Sequence, residues 1–345
     1  IVIAMSAKKR PLRSLRSGSD PSDEEWLKKK RTQWEKELDV DEKPDAVICL
    51  DAHAKEDMDL DSDDEKLNMF KVIDGDKFNM VLKSNPSKGP LVLSWRVQAL
   101  LFPHQQNAVI NFIRVASKYI SKQCDQQCDQ RGLLLAHCMG AGKTFTALTI
   151  FQCALQAFPA GVVVAPQTIL AVWYNEFAKF GEYFEYRLHW GDNPALLHDW
   201  ERNGGLLLMT PYAFRQNGGK FRQTRPTILF VDEAHHAKNN VSLLHQAIEK
   251  HKGFVVLLTG TPYHNDMKEF YHMLRLLGFG MSEEQFTEVY WNKIKSGHAL
   301  NATRAQRDMA MFQLQQLNRL WGQYMHRVDS GIVDKILASN GVTLE

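Results

Sequence analysis

The sequence predicts an α/β fold: a doubly wound parallel sheet, preceded by a disordered charged tail and followed by a helical appendage. Three observations predict it. Residues 132–144 (Gly-Leu-Leu-Leu-Ala-His-Cys-Met-Gly-Ala-Gly-Lys-Thr) pass from an apolar run through a glycine turn to Lys-Thr, and a helical pattern follows at once in Phe145, Ala147, Leu148, Ile150, Phe151, Ala154 and Leu155. Further short apolar runs at 162–165, 206–209, 228–231 and 254–258 alternate with helical stretches at 169–180, 194–203 and 242–250. Continuous rather than alternating runs suit strands buried on both faces, and repeated β-α units gather ligands at the C-terminal strand ends. Each run also stops at a polar or special residue (His137, Pro166, Thr210, Asp232, Thr259), so the candidate chemistry falls on one edge.

In chain order, residues 1–66 are polar and charge-blocked. Basic clusters (Lys8-Lys9-Arg10, Lys28-Lys29-Lys30-Arg31) precede an acidic stretch that ends at Asp63-Asp64-Glu65. Such a segment buries too little apolar surface to offset chain entropy and reads as a disordered interaction tail. A local helix fits 24–38, and the basic clusters fit either a nuclear localisation signal or a solvated tail. Val47-Ile48-Cys49-Leu50 resembles a SUMO-interacting motif that adds a strand to a partner's sheet edge, and Ser62 between acids suits an acidophilic kinase. The spacing of Asp57, Asp59 and Asp61 fails as a calcium loop, because Ser62 stands at position six and Asn68 at position twelve.

The five cysteines are scattered, without a second Cys or His pair to complete a metal site near Cys124 and Cys128; they fit a reducing compartment. No stretch is apolar for long enough to span a membrane, and Ile1–Met5 is too short for a signal peptide. The chain opens on Ile1, which fits a fragment or a start at Met5. Residues 67–96 form a lead-in with short strands at 70–82 and 91–95, and 97–280 form the main lobe. Residues 281–345 are read as a helical extension whose aromatics serve packing.

The chemistry reads from two motifs. Glycines in Met139-Gly140-Ala141-Gly142 let backbone N–H groups turn onto phosphate oxygens. The helix N-terminus adds positive potential, Lys143 adds a full charge, and the Thr144 hydroxyl can hold Mg²⁺. The first Gly of the usual phosphate-loop pattern is His137 here. The second motif is the apolar run 228–231 into Asp232-Glu233-Ala234-His235: one carboxylate at a strand end can hold Mg²⁺, and the next can deprotonate an attacking water. A third segment, Thr259-Gly260-Thr261-Pro262, is a small hydroxyl-bearing turn suited to relaying between two sites.

Together, residues 97–330 resemble the first RecA-like lobe of the Swi/Snf-type remodelling ATPases of helicase superfamily two. Leu101-Phe102-Pro103-His104-Gln105 resembles the Gln motif, which implies that Gln105 reads adenine. Residues 136–144 resemble motif I, where Ala-His-Cys-Met-Gly is especially like the ATRX branch; this family does not use Gly at the position of His137. Residues 164–177 resemble motif Ia, 209–212 the next strand-end motif, 232–239 motif II, and 258–262 with Asn265 motif III. His236, Ala237, Tyr263 and His264 depart from the usual residues, and Met325-His326-Arg327 resembles the segment leading to a second lobe.

The resemblance implies an ATP-binding lobe of a nuclear, double-stranded-DNA-dependent ATPase and translocase that remodels nucleosomes or other protein–DNA complexes, with ATP and Mg²⁺ as cofactors. Lys143 would hold the β/γ-phosphates, Thr144 and Asp232 the metal, and Glu233 would be the general base. His235, Thr259 and Thr261 would couple nucleotide to DNA, and Thr168, Thr210 and Lys238 would meet DNA phosphates. No second-lobe motif or arginine finger is found, so the chain is expected to be a fragment that is not fully active alone. The alternatives are an RNA helicase of the same superfamily, against which motif III and Lys238-Asn239 argue, and a nucleotide-binding adaptor without turnover.

Overall fold

The computed structural model describes residues 69–74, 77–82, 91–93, 95–122, 130–217, 226–260, 267–299 and 301–331. The charged tail, Val47–Leu50, Ser62, Cys124, Cys128 and Thr261 lie outside the described residues. The lead-in forms a sheet of its own: β1 (Met69–Asp74), β2 (Lys77–Leu82) and β3 (Leu91–Leu93) pair antiparallel in that order.

The main sheet has seven strands: β4 (Gly132–His137), β5 (Ala160–Val164), β6 (Leu188–Trp190), β7 (Gly205–Met209), β8 (Thr227–Val231), β9 (Phe254–Thr259) and β10 (Met325–Val328). Their order is β10-β4-β9-β8-β5-β7-β6, and every pairing is parallel. Side chains alternate between two cores. Leu133, Leu135, Ile228 and Phe230 face helices Pro103–Lys122, Lys143–Ala154 and Gln167–Phe180. Leu134, Ala136, Leu229 and Val231 face the opposite layer, which contains Trp200, Phe214, Ile248, Phe270 and Trp321. Because both faces are covered, the inner strands must be apolar at every position, as the sequence is.

Local chemistry sets the helix starts. Asn193 caps Pro194–Asn203 by accepting from the Ala195 N–H, and Ser242 caps Leu243–Lys250 by accepting from the His245 N–H. Thr303 and Gln306 form a capping box that starts Arg304–Gly322. That helix is anchored on the sheet by Trp321, whose ring meets Phe270 edge-on at 4.4 Å, in line with the packing role expected of the appendage aromatics. Among the described residues no helix is long and apolar enough to cross a membrane.

Three elements differ from the expectation. The extension expected to be helical over 281–345 is not so throughout: its last described helix stops at Gly322, and Met325–Val328 returns as β10 beside β4. β6 is an extra edge strand of three residues. Pro211–Asn217 is a helix that the apolar runs did not reveal; it starts on a Pro, whose missing N–H leaves nothing unpaired at the first helical position.

Candidate functional site

The strand ends assemble the site. After β4 the chain turns through Cys138–Gly142 into helix Lys143–Ala154, which is buried on nearly every side. Gly140 and Gly142 hold φ of 81° and 73°, a left-handed conformation that costs a residue with a Cβ, and a Cβ at Gly142 would strike Gln105 Nε2. The helix has no side-chain cap at its N-terminus, so its first-turn N–H groups face the loop as donors. Met139 is exposed, Ala141 is buried, and Thr144 is half-buried in the first turn.

The Gln-motif residues brace this loop. Gln105 Nε2 donates to Gly142 O (3.3 Å) and Ala141 O (3.5 Å), while its Oε1 accepts from the Phe102 N–H at 2.8 Å. Its amide is thus engaged at both ends, and reading adenine would require it to exchange these bonds. A His104 ring nitrogen lies 3.0 Å from Ala141 O. Lys143 Nζ folds back on the loop, donating to His137 O (3.1 Å) and Cys138 O (3.3 Å).

Asp232 follows β8, and its N–H extends the ladder by donating to Val164 O. Its carboxylate accepts from Trp173 Nε1 at 2.8 Å on Oδ2 and from the Glu233 N–H at 2.9 Å on Oδ1. Burial pushes this carboxyl above the usual carboxylate range; the Trp173 and Glu233 hydrogen bonds oppose the shift, as does the nearby Lys143 ammonium, while the Glu233 charge adds to it. Among the described residues Glu233 alone, apart from glycines, holds positive φ, at 50°. Its Oε2 lies 3.2 Å from His235 Nδ1. β9 lies between β4 and β8, ends in the buried Thr259, and continues into Gly260, where an added Cβ would sit 3.8 Å from Lys143 Nζ. The described start of motif III, Thr259-Gly260, therefore lies directly against the glycine loop.

The residues expected at DNA behave differently from one another. Thr168 is exposed near the start of helix Gln167–Phe180. Thr210 spends its hydroxyl as an acceptor for the Ala213 N–H (3.2 Å). Lys238 is held by Glu269 at 2.9 Å, so a phosphate would have to compete with that carboxylate. An open groove of about 670 Å³ runs beside these strand ends, lined among others by Gln167, Thr210, Tyr212, Arg215 and Asp232.

Sequence reasoning assigned no role to His326 or to the side chain of Trp173. His326 Nδ1 lies 2.8 Å from the buried His137 Nε2, and Trp173 reaches Asp232 across 59 positions. No spacing rule encodes either contact. Burial, then His326, His104 and Lys143, hold the His137 imidazole down at about 2, and burial with His104 holds His326 at about 4.

A model of the SNF2-related domain matches residues 26–340. The chain belongs to the SNF2-related family. This SNF2-related chain is similar to Protein CHROMATIN REMODELING 20 of Arabidopsis thaliana, 30% identical over 238 residues, which cover 60% of this chain and 16% of that protein. It is similar to Transcriptional regulator ATRX of Mus musculus (26% over 266 residues, 65% of this chain and 10% of the other) and to the human DNA repair and recombination protein RAD54-like (25% over 227 residues, 60% and 30%). It thus spans less than a third of the length of these relatives. Its fold is similar to the Sulfolobus solfataricus SWI2/SNF2 ATPase core in complex with dsDNA, with a TM-score of 0.51 at 19% identity over 68% of this chain and 46% of that one. Membership in the SNF2-related family implies nucleotide binding.

Proposed function

We propose that this SNF2-related chain is the ATP-binding lobe of a nuclear, duplex-DNA-dependent ATPase that moves along DNA and displaces or remodels what is bound to it. One observation carries the reading: the Lys143 loop and the Asp232-Glu233 pair meet at nearly adjacent strand ends, close enough for the Lys143 ammonium to act on the Asp232 carboxyl.

Lys143 releases the loop carbonyls and takes the β/γ-phosphates, with the uncapped helix N-terminus and the Gly140–Gly142 backbone cradling them. The hard oxygen donors of Thr144 and Asp232 suit Mg²⁺, which when bound neutralises developing phosphate charge. Glu233 accepts the proton of the attacking water, and His235, 3.2 Å from Glu233 Oε2, orients that carboxylate. Gln105 keeps the loop in register and faces the adenine side. Thr259 and Thr261 link the nucleotide to the groove, where the exposed Thr168, with Thr210 and Lys238 after local exchange of their partners, would meet duplex phosphates. That the solved SWI2/SNF2 core was captured with dsDNA supports duplex DNA as the polymer. Val47–Leu50 as a SUMO-binding strand rests on sequence alone; saturable binding of a peptide covering 45–65 to SUMO would support it.

The test is equilibrium binding of a fluorescent ATP analogue to the chain, with turnover of the full-length protein measured on duplex DNA and on single-stranded RNA. Saturable binding that Lys143→Ala abolishes, with greater stimulation by duplex, supports the reading. Absence of binding, or greater stimulation by RNA, overturns it.

A further inference from the structure

Trp173 sits in the middle of helix Gln167–Phe180, fully buried, with its ring against Phe230 of β8 at 6.2 Å. A buried indole N–H needs an acceptor, and nearby backbone would serve for packing alone. Here the acceptor is one oxygen of a functional carboxylate, Asp232 Oδ2, at 2.8 Å. The other oxygen accepts from the Glu233 N–H at 2.9 Å. An ionised carboxylate has about four lone-pair directions. With one direction on each oxygen fixed by a rigid donor, the remaining two are fixed as well. The ring cannot swing away, because it is clamped in the core formed by Val163, Leu170, Phe230 and their neighbours. The same helix begins at the exposed Gln167 and Thr168, and Gln167 lines the groove that also reaches Asp232.

We propose that Trp173 is a positioning residue for Asp232: its indole N–H fixes the carboxylate orientation and thereby sets the affinity of the nucleotide site for its divalent cation. The inference rests on the nucleotide reading of the site. It assigns the tryptophan of the motif Ia helix a role in metal binding and gives that helix a direct mechanical connection to the motif II carboxylate. Partners that orient a ligating group are typically worth ~10–100-fold in metal affinity.

The experiment titrates Mn²⁺ into the 345-residue chain saturated with ATP and reads bound metal by electron paramagnetic resonance, with metal-free nucleotide affinity measured alongside. Trp173→Phe is expected to weaken Mn²⁺ binding by ~10-fold or more and to leave metal-free nucleotide affinity unchanged. In an Asp232→Asn background the same substitution is expected to have no further effect on the metal, since the group it orients is altered. Replacing Trp173 with β-(3-benzothienyl)alanine keeps the ring and removes only the N–H, so it reports on the hydrogen bond if the phenylalanine variant unfolds. Wild-type Mn²⁺ affinity in the folded variants overturns the inference and leaves the nucleotide reading standing. So does an effect of Trp173→Phe that is equally large with and without Asp232→Asn, which marks a packing role. Absence of nucleotide binding by the wild-type chain overturns both.

Discussion

Acidification from about pH 7 to about pH 5 should destabilise this lobe through two buried imidazoles, His137 and His251, and the half-buried His326. His137 is held down to about 2, by burial first and then by His326, His104 and Lys143. His326 is held at about 4 by burial and His104, and His251 at about 4 by burial and Arg131. In the unfolded chain each titrates near ~6.5. The folded value lies below the unfolded one, so the unfolded chain takes up the proton first. The contribution is whole above the unfolded pKa, shrinks as pH falls below it, and levels off only below the folded pKa. At pH 5 the gap is ~1.5 units per imidazole, or ~2 kcal/mol each and ~6 kcal/mol for the three. Asp232 and Glu176 act with the opposite sign, because burial raises their carboxyls and protonation then favours the fold; they offset part of the loss at the low end. The net effect is comparable with the whole stability of a typical domain, ~5–15 kcal/mol. Urea unfolding followed by tryptophan fluorescence at the two pH values, at fixed ionic strength, measures it. His251→Gln, which keeps a polar partner for Thr227, should remove about a third of the pH dependence. An unfolding free energy unchanged between the two pH values, or a pH dependence untouched by His251→Gln, would show that these imidazoles do not set the acid stability.

Other substitutions test separate parts of the site and its frame. In the full-length protein Glu233→Gln should leave nucleotide affinity near wild type while slowing hydrolysis ~10²–10⁴-fold, measured as binding and single-turnover rates; loss of binding would contradict its assignment as base. Gly142→Ala combines left-handed strain with a clash on Gln105 and should cost ~1–2 kcal/mol of stability, part of it recovered in the Gly142→Ala, Gln105→Ala double variant. Trp321→Ala should cost ~3–5 kcal/mol in urea unfolding, because it empties the contact that ties helix Arg304–Gly322 to Phe270. Duplex binding should weaken linearly in log–log plots against salt with no marked sequence preference, as expected for contacts to phosphate.

Burial explains which elements the sequence revealed. β4, β5, β7, β8 and β9 lie inside the sheet and are buried at every position, so each appears as an uninterrupted apolar run. β6 and β10 are the two edges. Their residues, Leu-His-Trp and Met-His-Arg-Val, are mostly half-buried or exposed, and they join the sheet through backbone pairing, which leaves no apolar signature. The site divides in the same way. Its phosphate loop and Asp232-Glu233 pair are contiguous in sequence, because each needs one strand end and one turn. The bonds from Trp173 to Asp232, from Lys238 to Glu269 and from His326 to His137 join distant segments and exist only once the layers are packed.

On the proposed reading, sheet order also explains how one lobe would serve two ligands. The phosphate loop, Thr259 and Asp232 occupy the ends of β4, β9 and β8, while the groove opens over the ends of β8, β5 and β7. β8 belongs to both sets. Asp232 feels Lys143 and also lines the groove, and Trp173 holds it from the helix that starts at the groove rim. A shift of helix Gln167–Phe180 by a fraction of an ångström would therefore reach the carboxylate through one rigid ring, without any long chain of intermediates. Close-packed interiors transmit such displacements rather than absorbing them. On the proposed reading, coupling between a polymer in the groove and a nucleotide on the loop would thus need only the two neighbours of one strand.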